Sequence, residues 1–167
     1  MARQLILAQD RICKCAGDRY NMPQSGTIQA NTEESNMSEW ISLLLIDDDE
    51  QFLELVEYGL RLAGFKVLMA TNGRKGLKLA RKKRPEVILL DVTMPEMDGL
   101  EILTELKHDK KTADIPVFML TARNLVGEFE QAFNVGADDY ITKPVEVMAL
   151  GEIVKSKLEK FHVKTQT

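Results

Sequence analysis

From Ile41 onward, short apolar runs alternate with longer stretches in which apolar residues recur every three or four positions. Leu43–Ile46, Val67–Ala70, Val87–Leu90, Val117–Leu120 and Tyr140–Thr142 read as strands, several of them apolar throughout, as strands covered on both faces must be. Between them lie helical patterns. Leu53, Val56, Leu60 and Ala63 share one face of a first helix, which Gly64 stops. Asn72-Gly73 opens a second, ending in Arg81-Lys82-Lys83-Arg84 and closed by Pro85. The spacing predicts a third from Gly99 through His108, a fourth over about Val126 to Val135, and a fifth from Val145 to about Phe161 with Val147, Leu150, Val154 and Leu158 on one face. Strict alternation implies parallel strands joined by right-handed crossovers, hence an α/β doubly wound three-layer sandwich of five strands and five helices. In that architecture sites form at the carboxyl ends of the strands.

The pattern is absent before residue 40. Residues 1–39 are polar and aperiodic, and are expected to be a disordered or weakly structured tail, followed by one domain over 40–162 and a short tail over 163–167. Met37 would make a natural start just before the first strand, and Leu5 to Leu7 could form a helical turn. The 167 residues are 44% apolar and 29% charged, enough to bury one core. Lys plus Arg number 22 against 26 Asp plus Glu, a net charge of -4 that argues against a general nucleic-acid binder. Cys13 and Cys15, with His108 and His162 as the only histidines, assemble no zinc-ligand set. No apolar run is long enough to span a membrane. The basic run at Arg81 to Arg84 is read as a solvated helix end, where cations are favourable, and is assigned no function.

Chemistry concentrates at the predicted strand ends. The first strand runs into Asp47-Asp48-Asp49-Glu50, the third into Asp91, the fourth into Thr121-Ala122 and the fifth into Lys143-Pro144. Carboxylates crowded on one rim repel one another and raise each other's pKa unless a cation compensates. A hard divalent ion, Mg²⁺ with Mn²⁺ as a substitute, suits oxygen ligands of this kind. With Thr121 supplying a hydroxyl and Lys143 an ammonium, the set could hold a phosphoryl group while a carboxylate serves as nucleophile. Asp91, alone at the end of a central apolar strand, is the better nucleophile; Asp47 and Asp48 suit the metal. Singly, an Asp after a strand is more often a cap or turn residue. The joint arrangement reverses that reading.

Over about Ser42 to Glu159 the chain resembles the receiver domain of two-component response regulators, and in extent the single-domain chemotaxis type. The likeness rests on Leu44-Leu45-Ile46-Asp47-Asp48-Asp49, on Leu89-Leu90-Asp91-Val92-Thr93-Met94-Pro95-Glu96-Met97-Asp98-Gly99, on Leu120-Thr121-Ala122, and on Gly136-Ala137-Asp138-Asp139-Tyr140-Ile141-Thr142-Lys143-Pro144. The resemblance implies a flavodoxin-like sheet of strand order 2-1-3-4-5 and a phosphorylation switch. Asp91 would be the phosphoacceptor and a metal ligand. Asp48 would ligate Mg²⁺ directly and Asp47 through water, with the Thr93 backbone carbonyl completing the set. Thr121 would move toward the new phosphoryl group, Lys143 would contact it, Tyr140 would turn inward, and the Lys143-Pro144 bond would be cis.

Further expectations follow from the same likeness. The phosphoryl donor would be a sensor histidine kinase or histidine phosphotransfer protein. The surface of the fourth helix, fifth strand and fifth helix would change on phosphorylation and dock a downstream protein. The protein would be cytoplasmic, a monomer or a phosphorylation-dependent dimer, and no turnover enzyme, though it would promote its own aspartyl phosphorylation and dephosphorylation. Too few residues follow the fifth helix for a helix-turn-helix, so no DNA-binding domain is expected. Glu50 stands where the family often has proline, and Thr93 and Arg123 occupy variable positions thought to tune dephosphorylation. Two alternatives are weighed. A phosphorylation-independent scaffold is disfavoured because Asp47, Asp48, Asp91, Thr121 and Lys143 are all present. A Mg²⁺-dependent aspartyl-phosphate hydrolase would need a second Asp where Thr93 stands.

Overall fold

Polar residues mark where each element of the fold begins and ends, and apolar ones fill both sides of a central sheet. A computed structural model describes residues 40–122 and 135–165. The elements are β1 (Ile41–Ile46), α1 (Glu50–Leu62), β2 (Phe65–Ala70), α2 (Gly73–Lys83), β3 (Val87–Asp91), α3 (Gly99–His108), β4 (Val117–Ala122), β5 (Asp139–Lys143) and a C-terminal helix (Val147–Thr165). The strands pair in parallel in the order β2-β1-β3-β4-β5, as expected. Four helices appear among the described residues. The tail over 1–39 with Cys13, Cys15 and Met37, most of the expected fourth helix, and Arg123 lie outside them.

The sheet separates two apolar layers, and alternate residues of one strand feed each. Leu44, Ile46, Ile88, Leu90, Val117 and Met119 face the layer shared with Leu77 of α2 and Ile102, Leu103 and Leu106 of α3. Leu43, Leu45, Val87, Leu89, Phe118 and Leu120 face the other, with Leu53, Val56 and Leu60 of α1 and Leu150, Val154 and Leu158 of the C-terminal helix. Side chains alternate across a strand, so a run apolar at every position is what a sheet covered on both faces requires.

Caps set the helix ends. Asp49 accepts from the backbone N–H groups of Gln51 and Phe52 at the start of α1, and Glu50 places negative charge in the first turn, where the helix dipole favours it. Asn72 caps α2 through the Lys75 N–H, and Asp98 with Glu101 forms a capping box on α3. Gly64, just past α1, takes the left-handed φ of 89° that glycine adopts at no cost in side-chain clash.

Two ion-pair clusters tie neighbouring elements together. Arg81 donates to Asp109 at 2.7 Å and reaches Glu105 at 3.4 Å, so this member of the basic run ties α2 to the end of α3 rather than standing free in solvent. The Lys107 ammonium bonds to Asp138 at 2.8 Å and to the Ile115 carbonyl at 3.0 Å, while Asp138 also accepts from the Val117 N–H at 2.8 Å. This largely buried pair fixes the entry into β4 beside the entry into β5, and hydrogen bonds of this charged type contribute about 1.5–3 kcal/mol each. Among the described residues no helix is long and apolar enough to cross a membrane.

Candidate functional site

The parallel sheet brings the predicted site residues to one rim. Asp47 directly follows β1, Asp91 is the last residue of β3, Thr121 lies near the end of β4 and Lys143 ends β5. Register aligns them: Asp91 pairs with Leu120, Thr121 with Thr142, and Ala122 with Lys143. Asp47 and Asp91 are buried, at 1% and 6% exposure, whereas Asp48 is exposed. One carboxylate oxygen from each of Asp47, Asp48 and Asp91 lies within 4.8 Å of the others.

Local backbone bonds hold these groups. The Asp49 N–H donates to Asp47 Oδ1 at 3.0 Å, folding the chain tightly after β1. The Thr93 N–H donates to Asp91 Oδ2 at 2.9 Å, and the Val92 N–H to the Leu120 carbonyl at 3.1 Å, so the acid is fixed from its own loop and from the neighbouring strand. Lys143 Nζ bridges the carboxylates, 2.7 Å from Asp47 Oδ2 and 2.6 Å from Asp91 Oδ1. The Lys143-Pro144 peptide is cis, as expected. Tyr140 is half-buried and packs on the apolar layer of α2 and α3, and Thr121 is buried.

Burial pushes the Asp91 carboxyl above its ordinary value, and repulsion from Asp47 adds to this; hydrogen bonds from Lys143 and the Thr93 N–H, with the attraction of Lys143, offset only part. For Lys143 burial works against the charge, but the bonds to Asp47 and Asp91 and the attraction of both outweigh it, and its pKa is raised. A stability consequence follows. Because the folded-state pKa of Asp91 exceeds the unfolded one, its contribution to stability is fully present below the unfolded value of about 3.9 and is lost as pH rises through the folded value. Asp91→Asn, neutral throughout, is therefore expected to unfold at higher urea than wild type at pH 7 without metal, with the gap closing as pH falls below about 4. A variant less stable at pH 7 would contradict the sign.

The donor set of three hard oxygens fits a divalent cation such as Mg²⁺, and the crowding of like charge gives such an ion something to neutralise. A cleft of about 580 Å³ opens at the opposite ends of the strands beside Ile41, Pro85, Pro116, Leu158 and Phe161. The rim is distinguished by its chemistry.

Comparison with known proteins gives the same answer. Residues 43–155 match the response regulator receiver domain. The chain belongs to that family. Receivers of this kind are two-component signalling switches homologous to regulators phosphorylated on aspartate, and they bind Mg²⁺ at their acidic pocket. The DNA-binding dual master transcriptional regulator RpaA of Synechocystis sp. is 42% identical over 118 residues, which are 71% of this chain and 49% of that protein. The transcriptional regulatory protein PrrA of Mycobacterium tuberculosis is 39% identical over 118 residues, 71% of this chain and 50% of its own length. The structure of the chemotaxis protein CheY4 of Vibrio cholerae superposes with a TM-score of 0.67 at 29% identity, covering 71% of this chain and 98% of that one.

The chain thus spans about half the length of the two transcriptional regulators. That corrects the expectation of an output confined to protein docking with no DNA-binding domain. Relatives named as DNA-binding and transcriptional regulators share this receiver as one half of a longer chain, so the few residues after the C-terminal helix carry no information about the output.

Proposed function

We propose that Asp91 is the phosphoacceptor of this receiver and that phosphorylation there is the switching event. The observation that carries the reading is the contact set of Asp91: a buried carboxylate at a strand end, bonded to Lys143 at 2.6 Å and clustered with Asp47 and Asp48. An Asp91 oxygen attacks phosphorus, the bond from phosphorus to the donor's leaving atom breaks (the imidazole nitrogen of a phosphohistidine, or the carboxylate oxygen of acetyl phosphate), and that atom departs with the electron pair, leaving an acyl phosphate on Asp91. Lys143 gives up a carboxylate contact and takes a phosphoryl oxygen. Asp47, Asp48, Asp91 and the Thr93 carbonyl would hold Mg²⁺, which when bound supplies positive charge against the phosphoryl oxygens.

Thr121 takes another phosphoryl oxygen through its hydroxyl, and Tyr140 turns further into the layer it already touches. The domain promotes both its own phosphorylation and the later hydrolysis, in which water attacks phosphorus and the Asp91 carboxylate leaves, because the same charges meet the phosphoryl oxygens in both transfers. The bond to Asp91 then biases two arrangements of the β4–β5 side by whatever free energy distinguishes them; about 1.4 kcal/mol is a tenfold shift in population.

Incubation with acetyl phosphate and Mg²⁺, read by intact mass, tests this. Wild type is expected to gain one phosphoryl group, Asp91→Asn none, and wild type in chelator none. No adduct on wild type would overturn the switch by acyl phosphate; an adduct persisting on Asp91→Asn would overturn the acceptor.

A further inference from the structure

Lys143 has a third neighbour besides its two carboxylates. Its Nζ stands over the ring of Phe52, 4.4 Å from the centroid. Phe52 lies in the first turn of α1, where its backbone N–H donates to the Asp49 cap at 3.1 Å. Its side chain packs, partly buried, on the apolar layer of Leu43, Leu45 and Leu53. The ring is therefore held by the cap through its backbone and by the core through its body, while a face remains for the ammonium. An aromatic face attracts a cation through its quadrupole, without being a ligand for a hard metal and without titrating.

That difference in chemistry matters once the site is used. A lysine has three donors, and here Asp47 and Asp91 take two of them. Both of those carboxylates acquire new partners during phosphoryl uptake, Asp91 by bonding to phosphorus and Asp47 by facing a divalent ion. The ring keeps its affinity for the ammonium through both changes. We propose that Phe52 is a positioning residue for phosphoryl uptake: its ring face keeps the Lys143 ammonium over the acid cluster while the lysine exchanges a carboxylate oxygen for a phosphoryl oxygen. The proposal rests on the acceptor reading of Asp91.

The test compares wild type, Phe52→Leu and Phe52→Tyr. Leucine keeps an apolar body on the core but removes the π face; tyrosine keeps the face. Uptake from acetyl phosphate at saturating Mg²⁺, followed by intact mass against time, is expected to slow roughly three- to thirty-fold in Phe52→Leu and to stay within about twofold of wild type in Phe52→Tyr. A second readout needs no phosphoryl chemistry: the Lys143 ε-methylene proton resonance, assigned by its loss in Lys143→Met, is expected to be displaced upfield by the ring in wild type and Phe52→Tyr, and to return to the ordinary lysine position in Phe52→Leu. Urea midpoints confirm that each variant is folded. A folded Phe52→Leu that takes up phosphoryl at the wild-type rate overturns the proposal alone, as does an ordinary Lys143 resonance in wild type, which requires no variant of Phe52 to fold. No adduct on wild type overturns the acceptor reading, and this proposal with it.

Discussion

Lys143→Met is expected to slow phosphoryl uptake from acetyl phosphate by about 10²- to 10³-fold, the usual cost of deleting one preorganised donor aimed at developing negative charge. Methionine matches the lysine stem in length and is apolar, so it can take the half-buried place of the lysine beside Phe52. What disappears is the cation between Asp47 and Asp91. Two effects then act in the same direction. The attraction and hydrogen bond that partly offset the upward push on the Asp91 carboxyl are gone, so a larger share of it is protonated at a given pH and unable to attack. The phosphoryl oxygens also lose the ammonium that would meet them. The rate against pH is accordingly expected to rise at higher pH in the variant than in wild type. Lys143→Arg restores charge but replaces a compact ammonium by a planar fork with different donor geometry, and is expected to recover only part of the rate. Time-resolved intact mass over a pH series separates these outcomes; a Lys143→Met rate within about threefold of wild type would mean that the ammonium has no part in the transfer.

Such a residue could be found from sequence because the architecture does the work of assembly. Once alternating apolar runs imply parallel strands, every residue just past a strand's carboxyl end belongs to one rim, and Asp47, Asp91, Thr121 and Lys143 meet there whatever their separation along the chain. Strand beginnings were harder to see. β1 starts at Ile41 rather than Leu43 and β2 at Phe65 rather than Val67, because Ser42 and Lys66 interrupt the apolar pattern. Ser42 is accommodated by bonding to Glu86, which leads into β3. The C-terminal helix runs to Thr165, past the expected end at Phe161, since no glycine or proline follows to stop it and His162 and Lys164 suit its carboxyl end.

Contacts between elements carried no comparable signal. Lys107 with Asp138, Arg81 with Asp109, and Phe52 under Lys143 join residues through tertiary packing, and neither period nor spacing marks a lysine that will bond a distant carboxylate and a carbonyl or a phenylalanine that will face an ammonium. The output lay beyond reach for another reason: the length of this chain does not report what its relatives carry in the other half of theirs.

The largest expected loss of stability comes from a single methyl group at Gly99. This residue opens α3, donates its N–H to the Val92 carbonyl at 3.0 Å, and lies against the backbone of Asp91 and Val92. A Cβ there would fall well inside van der Waals contact of the Asp91 carbonyl oxygen, 2.8 Å from Val92 Cα and 2.9 Å from the Val92 oxygen. All three are main-chain atoms of a strand end that is hydrogen-bonded to β4. They cannot turn aside as a side chain can, so either α3 lifts or the Asp91 loop moves. Gly76→Ala is the informative contrast. A Cβ at Gly76 comes within 2.6 Å of Ile46 Cδ1, 3.0 Å of its Cγ1 and 3.1 Å of its Cγ2, all side-chain rather than backbone atoms. Overpacking costs typically about 1–3 kcal/mol, and the backbone clash places Gly99→Ala at about 3 kcal/mol or more, with Gly76→Ala toward the lower end. Alanine is intrinsically the better helix former by up to about 1 kcal/mol, so any measured loss is net of that gain. Urea midpoints of the two variants check the order, and a Gly99→Ala protein within about 1 kcal/mol of wild type would show that the strand end yields. Because that same backbone sets the Thr93 N–H against Asp91 Oδ2, whatever folded Gly99→Ala protein remains is expected to take up phosphoryl more slowly as well, whereas folded Gly76→Ala protein keeps the wild-type rate.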